Sequence, residues 1–192
     1  MKFSGYQTIK LPDGEEIKGV FPTLTWFKII RSRISFEGQS VMDVGACDGM
    51  YSILAKREGA KEVMAVEPEK EKIEAMRYLS EKWDEPLTIL DTEIKNVRIN
   101  RHFDILLLPM IIHWIGIPET RRLVSWVQKY VVFIYREANE GYNEPENGVW
   151  FPTQKELDKT FKNRLDRIYN EVLMTQDNGK KITLAIYEKN IS

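Results

Sequence analysis

One stretch, Val41 to Glu67, restricts the folds open to this chain more than any other. It reads VMDVGACDGMYSILAKREGAKEVMAVE. An apolar strand begins at Ser40 and ends at Asp43. A loop bearing two glycines runs from Asp43 to Gly49. Tyr51 to Glu58 then reads as a helix closed by Gly59, and KEVMAVE as a second strand ending at Glu67. Strand, tight loop, helix and strand in that order predict a mostly parallel sheet with helices on both sides. Gly45 permits a tight turn and a close ligand approach, and Gly49 permits another at the helix start. Glu67 falls 22 residues after Gly45. A carboxylate ending that strand can accept hydrogen bonds from both ribose hydroxyls of an adenosine ligand.

The same alternation continues. Pro68 is expected early in a charged amphipathic helix, Glu69 to Lys82, with Ile73, Met76 and Leu79 inward. LTILD is a third strand ending at Asp91, and FDILLLP a fourth, apolar enough for burial on both faces. Pro118 opens a helix reaching about Lys129, and YVVFIYRE is a fifth strand. The tail differs. Thr153 precedes the helical run QKELDKTF, and RIYNEVLM and KKITLAIYEK flank a turn signal at Asp177, Asn178 and Gly179. The expected fold is α/β: a doubly wound, mostly parallel seven-stranded sheet with an antiparallel C-terminal strand. Residues 39–192 make that domain. Residues 1–38 form an N-terminal annex: a small hairpin turning at Pro12, Asp13 and Gly14, then a helix. That helix carries Leu24, Phe27, Ile30 and Ile34 on one face and is capped by Thr23 or Thr25.

The loop also discriminates among ligands. A dinucleotide fold favours glycine at the middle loop position, where backbone must clear a pyrophosphate. Here that position is Cys47, and Asp43 and Asp48 add negative charge. Such charge suits a ligand carrying ammonium and sulfonium groups better than a pyrophosphate. S-adenosylmethionine has both. A nicotinamide-dependent oxidoreductase is the reading these residues disfavour.

These motifs resemble those of the class I S-adenosylmethionine-dependent methyltransferases. VMDVGACDGMYS is similar to their first motif and VMAVEP to their second. LTILDTE and HFDILLLPMIIHW are similar to the third- and fourth-strand motifs. The resemblance covers residues 40–188. It implies S-adenosylmethionine as cofactor, held by Asp43, Gly45, Ala46, Cys47, Asp48, Gly49, Glu67, Pro68 and Leu108. Asp91, Thr92 and Glu93 would flank the adenine. The annex, YQTIKLPDGEEIKGVFP, carries a second resemblance, to tRNA wobble-uridine-modifying enzymes and related small-molecule methyltransferases.

For the acceptor, the fourth strand ends in Leu108, Pro109, Met110 and Ile111, not the Asn/Asp-Pro-Pro-aromatic run of many nucleobase amino-methylating relatives. His113 follows this strand end. It reads as a general base for a hydroxyl or acidic carbon, or as a half-buried histidine held by backbone. Trp114, Arg136, Tyr142 and Trp150 are the candidate substrate contacts. Arg136 either binds an anionic substrate or pairs with Glu137. The polar run REANEGYNEPENGVWFP reads as a long loop over a pocket.

Composition supplies the remaining limits. Across 192 residues, 28 basic and 29 acidic side chains leave a net charge of -1, so nothing global draws the chain to nucleic acid. A small-molecule acceptor is therefore preferred over RNA. One cysteine, two histidines and no ligand-spaced carboxylate argue against a metal site. No run is apolar enough for a membrane span, and a lone cysteine fits a reducing, cytoplasmic setting. A noncatalytic cofactor-binding protein on the same fold is the other class this sequence accommodates. Oligomeric state is not legible.

Overall fold

A computed structural model of the chain describes residues 1–138, 151–176 and 179–190. It divides into two compact units, Met1–Asn100 and Arg101–Ser192. The first holds the βαβ unit that the glycine loop predicts. Strands β3 (Ser40–Val44) and β4 (Glu62–Glu67) pair in parallel, with Ser40 opposite Glu62 and Val44 opposite Val66. Strand β5 (Thr88–Asp91) adds to the far side of β4, Asp91 opposite Glu67. Every residue of β3 is buried, as a strand covered on both faces must be. Helices α2 (Met50–Arg57) and α3 (Lys70–Trp83) connect these strands.

The N-terminal hairpin packs into this unit. Strands β1 (Ile9–Lys10) and β2 (Glu16–Ile17) are antiparallel, with Ile9 opposite Ile17. Ile9 is fully buried in a cluster with Met50, Ile53 and Leu79. Trp83 Nε1 donates to the Lys10 carbonyl at 3.0 Å. Helix α1 (Thr23–Arg31) buries Trp26, Phe27 and Ile30. The expected threonine cap is absent. Pro22 is the N-cap, and Thr23 is already helical, its hydroxyl donating to the Phe21 carbonyl at 3.3 Å. Pro68 is likewise displaced: Glu69 is the N-cap of α3, so the proline precedes the helix.

The second unit has strand order β6-β7-β9-β8. Strands β6 (Phe103–Pro109) and β7 (Val127–Arg136) are parallel. Strand β9 (Lys181–Lys189) runs antiparallel between β7 and β8 (Leu165–Thr175). Helix α4 (Ile112–Val124) contains a break at Gly116, with φ 69° and ψ 177°. Pro118 opens the second segment, where its fixed φ and missing N–H do no harm. The helix stops at Val124, not near Lys129, because Val127–Lys129 belong to β7. Helix α5 (Gln154–Phe161) begins with a capping box, Thr153 and Glu156 each receiving the other's backbone N–H. Phe133 packs between Phe161 and Tyr187, with ring centroids 5.8 and 5.6 Å away.

The fold class is the one the sequence predicts: a mostly parallel seven-stranded sheet with an antiparallel C-terminal strand. No helix among the described residues is long and apolar enough to cross a membrane. Asp177 and Asn178 of the expected hairpin turn lie outside the described residues.

Gly49 tests the loop-to-helix junction. Its φ is 86°, and a Cβ there would come within 2.4 Å of Met76 Cγ. Both strain and overpacking therefore oppose a side chain. Gly49→Ala is expected to cost roughly 2 kcal/mol or more. Urea unfolding checks this; an unchanged midpoint would refute it.

Candidate functional site

In the first unit the loop between β3 and α2 closes onto the end of β4. The N–H groups of Gly45 and Ala46 both donate to the Val66 carbonyl, at 2.9 and 3.1 Å. Gly45, at φ 69°, makes that turn without a Cβ penalty. The Cys47 N–H donates to Glu67 Oε2 at 2.9 Å, and the Glu69 N–H to Oε1 at 3.1 Å. Glu67 is thus clamped by backbone on both oxygens while only 4% exposed. Burial raises its carboxyl above the ordinary range, and the two N–H bonds and then Lys72 pull it back. Each oxygen has a second lone pair for another donor.

The two aspartates of this loop have different surroundings. Asp43 is fully buried, and its Oδ2 accepts from Ser52 Oγ at 2.7 Å. Among the described residues its Oδ1 has no partner. Desolvation pushes this carboxyl up to about 7, with Ser52 opposing and Glu67 adding to the shift. Asp48 is also buried, but its carboxylate receives the Ser4 N–H at 3.0 and 3.2 Å and the Ser4 hydroxyl.

The annex completes the loop. Gln7 is 6% exposed; its Nε2 donates to the Ala46 carbonyl at 3.2 Å, and its Oε1 accepts the Met50 N–H at 3.0 Å. One amide therefore ties together both ends of the loop. Ser4 and Gln7 were not foreseen from sequence. They sit about forty residues from their partners in an undistinguished run, with no spacing to announce them.

Cys47 holds φ 55° and lies 3.3 Å from Ser4 Oγ. Burial pushes its thiol up to about 11, so it is protonated and a poor nucleophile at neutral pH. Pro68 follows Glu67 directly and leads into α3. Asp91, at the end of β5, pairs with Lys70 from α3, and Glu93 pairs with Lys95 at 2.6 Å. The Thr92 N–H donates to the Leu90 carbonyl at 3.0 Å.

In the second unit, Leu108 is fully buried on β6 opposite Phe133. Beyond the strand end, Met110 takes φ 59° and its N–H donates to the Ile134 carbonyl at 2.6 Å. That turn launches α4, whose first residues include His113 and Trp114. His113 stacks on Phe151, centroids 5.3 Å apart at 22°, and tilts against Trp114 at 5.3 Å. Its Nδ1 is buried without a partner among the described residues. Burial, then the positive charge of Arg136, lower its pKa to about 4, so the imidazole is neutral at physiological pH. Arg136, ending β7, lies 5.5 Å over the Phe151 ring. Tyr142 and Trp150, and most of the loop expected to cover a pocket, lie outside the described residues.

Comparison with known proteins follows the fold closely and the sequence only faintly. No family model matches the chain. It superposes on the N-methyltransferase NodS of Bradyrhizobium japonicum in complex with S-adenosyl-L-homocysteine, with TM-score 0.68, 11% identity and 86% of each chain covered. Magnesium protoporphyrin IX methyltransferase of Synechocystis with bound S-adenosylhomocysteine gives TM-score 0.68 and 12% identity. There 88% of this chain and 81% of that one are covered. A protein of Pyrococcus horikoshii OT3 gives TM-score 0.70 and 10% identity, covering 89% and 93%. In sequence, 81 residues are 32% identical to a rice (Oryza sativa subsp. indica) protein named "Probable histone-arginine methyltransferase CARM1". That match takes in 41% of this chain but 15% of the rice protein. The chain has the fold of the class I S-adenosylmethionine-dependent methyltransferases.

Two titrations check this electrostatic description. Because the folded Asp43 pKa lies above its ordinary value of 3.8, the folded protein binds a proton that the unfolded chain lacks in between. Stability from this group is therefore complete below about pH 4 and is lost as pH rises through 7. Asp43→Asn keeps an acceptor for Ser52, so its melting temperature should gain on wild type between pH 5 and pH 8. A pH-independent difference between the two proteins would contradict this. Separately, the His113 ring proton signal in NMR should titrate near pH 4, and Arg136→Gln should move the midpoint upward. An unmoved midpoint would show that Arg136 does not act on His113.

Proposed function

We propose that this chain is an S-adenosylmethionine-dependent methyltransferase acting on a small molecule. The observation that carries the reading is how the glycine loop spends its backbone N–H groups. Those of Gly45, Ala46, Cys47, Gly49 and Met50 all find acceptors inside the protein. A pyrophosphate site needs such groups turned outward to cradle phosphate oxygens. This loop instead offers a rigid acceptor, the Glu67 carboxylate. That matches a ligand that presents ribose hydroxyls and a cation rather than phosphates.

In this reading Glu67 receives the ribose hydroxyls, and the backbone at Gly45–Gly49 borders the methionine part. Asp43 shapes the site from beneath as a buried group bonded to Ser52. Asp48 acts indirectly, by fixing Ser4 of the annex over the loop. Pro68 and the Asp91–Glu93 segment are assigned to the adenosine end, and Leu108 of the second unit is assigned to the cofactor. When bound, S-adenosylmethionine supplies an electrophilic methyl group on a sulfonium. His113 is the assigned base: neutral and half-buried, it can accept a proton from an acceptor that arrives protonated. Arg136 and Trp114 are assigned to the acceptor, together with Tyr142 and Trp150.

Calorimetry tests the core of this. S-adenosylhomocysteine should bind with one-to-one stoichiometry and NAD should not. Glu67→Gln trades an anionic acceptor for an amide, and hydrogen bonds to a charged group are worth about 1.5–3 kcal/mol. A loss of roughly ten- to a hundredfold in affinity is expected. Binding of NAD in preference to S-adenosylhomocysteine would overturn the proposal.

A further inference from the structure

Arg136 raises a problem that the methyl donor does not solve. Its Nε is buried and has no acceptor among the described residues. The obvious candidate partner, Glu137, faces other groups: its Oε1 accepts the Gln154 N–H at 3.2 Å and its Oε2 the Thr183 hydroxyl at 3.1 Å. The Arg136 guanidinium is instead laid over the ring of Phe151. The Arg136 cation lies 5.5 Å from the centre of that ring, which is no hydrogen-bond acceptor for its N–H groups. A guanidinium carries its N–H groups in a planar fork, which matches the two in-plane oxygens of a carboxylate. A buried guanidinium N–H without an acceptor costs free energy that an anionic ligand would recover.

The surroundings describe the rest of such a ligand. Lys180 also approaches Phe151, its Nζ 5.4 Å from the ring centroid, which adds positive potential. Phe151 also stacks against the His113 ring, which in turn tilts against Trp114. Trp114 is 68% exposed, the most exposed large hydrophobic among the described residues of the second unit. An exposed indole beside a stacked imidazole and a cation suits a planar ring bearing an acid group.

We propose that Arg136, Phe151, His113 and Trp114 form an acceptor subsite for a planar molecule carrying a carboxylate, the carboxylate meeting Arg136 and the ring meeting Trp114. The role of this ligand as methyl acceptor rests on the proposed methyltransferase function. The anion site itself stands on the second unit alone.

Sodium benzoate is the probe and the whole 192-residue chain the sample. At pH 7, benzoate should shift the His113 ring proton signal saturably, with millimolar affinity, while the His102 signal stays in place. Benzamide, which keeps the ring and loses the charge, should not do so. Arg136→Gln should weaken benzoate at least tenfold, with circular dichroism confirming that the variant is folded. Trp114→Ala, a change at an exposed position, should weaken it several-fold. The subsite is overturned if His113 does not respond to benzoate, if benzamide acts equally, or if Arg136→Gln binds benzoate like wild type. Calorimetry with S-adenosylhomocysteine on the same sample separates the two proposals. Cofactor binding without a benzoate response removes the subsite and leaves the methyltransferase; the reverse leaves an anion site and removes the methyltransferase.

Discussion

The hydrogen bond from the Cys47 N–H to Glu67 Oε2 joins the two strand ends on which the site in the first unit depends. The loop after β3 would otherwise leave a row of N–H donors and a buried acid without partners, each expensive in a dry interior. Donating Gly45 and Ala46 to Val66, and Cys47 to Glu67, satisfies both sets together. The result is a turn whose shape is fixed by the strand beside it. A ligand approaching this edge meets an oriented carboxylate, not an open nest of amides. The proposed preference for a cationic adenosine ligand over a pyrophosphate rests on that single choice of donor and acceptor.

Charge around the loop is managed by burial more than by pairing. Asp43, Asp48 and Glu67 lie within one short region, all nearly inaccessible. Three ionised carboxylates so close would repel one another in a medium of low dielectric. Asp43 avoids this by holding its proton up to about neutral pH. Asp48 is compensated by the N–H and hydroxyl of Ser4, and Glu67 by two backbone N–H groups with Lys72 nearby. In the second unit the sign is reversed. Burial, and then the charge of Arg136, keep His113 neutral.

Much of the fold was legible because its signals are local. Periodicity located every strand of the main sheet, and Gly59, Pro118 and Thr153 marked helix boundaries through backbone chemistry that needs no partner. The misplacements share a cause. Thr23 is a good cap by type, yet the chain enters α1 from Pro22 and the threonine hydroxyl turns back to Phe21. Val127–Lys129 satisfy helical and extended patterns alike, and pairing with β6 decides for the strand. For the site, Gly45, Cys47 and Glu67 were recognisable because they fall inside one βαβ unit. Ser4 and Gln7 were not, since nothing in YQT reports that its glutamine reaches Ala46 and Met50.

The sequence by itself determined the βαβ unit, the acid that ends its second strand and the absence of the middle glycine. Those are consequences of spacing and residue type within one stretch of Val41 to Glu67. The tertiary structure decided which polar groups satisfy which. It buried Asp43 against Ser52, gave Asp48 to Ser4 of the annex, and turned the loop's N–H groups of Gly45, Ala46, Cys47 and Gly49 to acceptors inside the protein. It also brought Phe151 against His113 of α4 and Arg136 of β7. Hydrogen bonding and burial are properties of neighbours in space, and neighbours forty residues apart leave no local pattern to read.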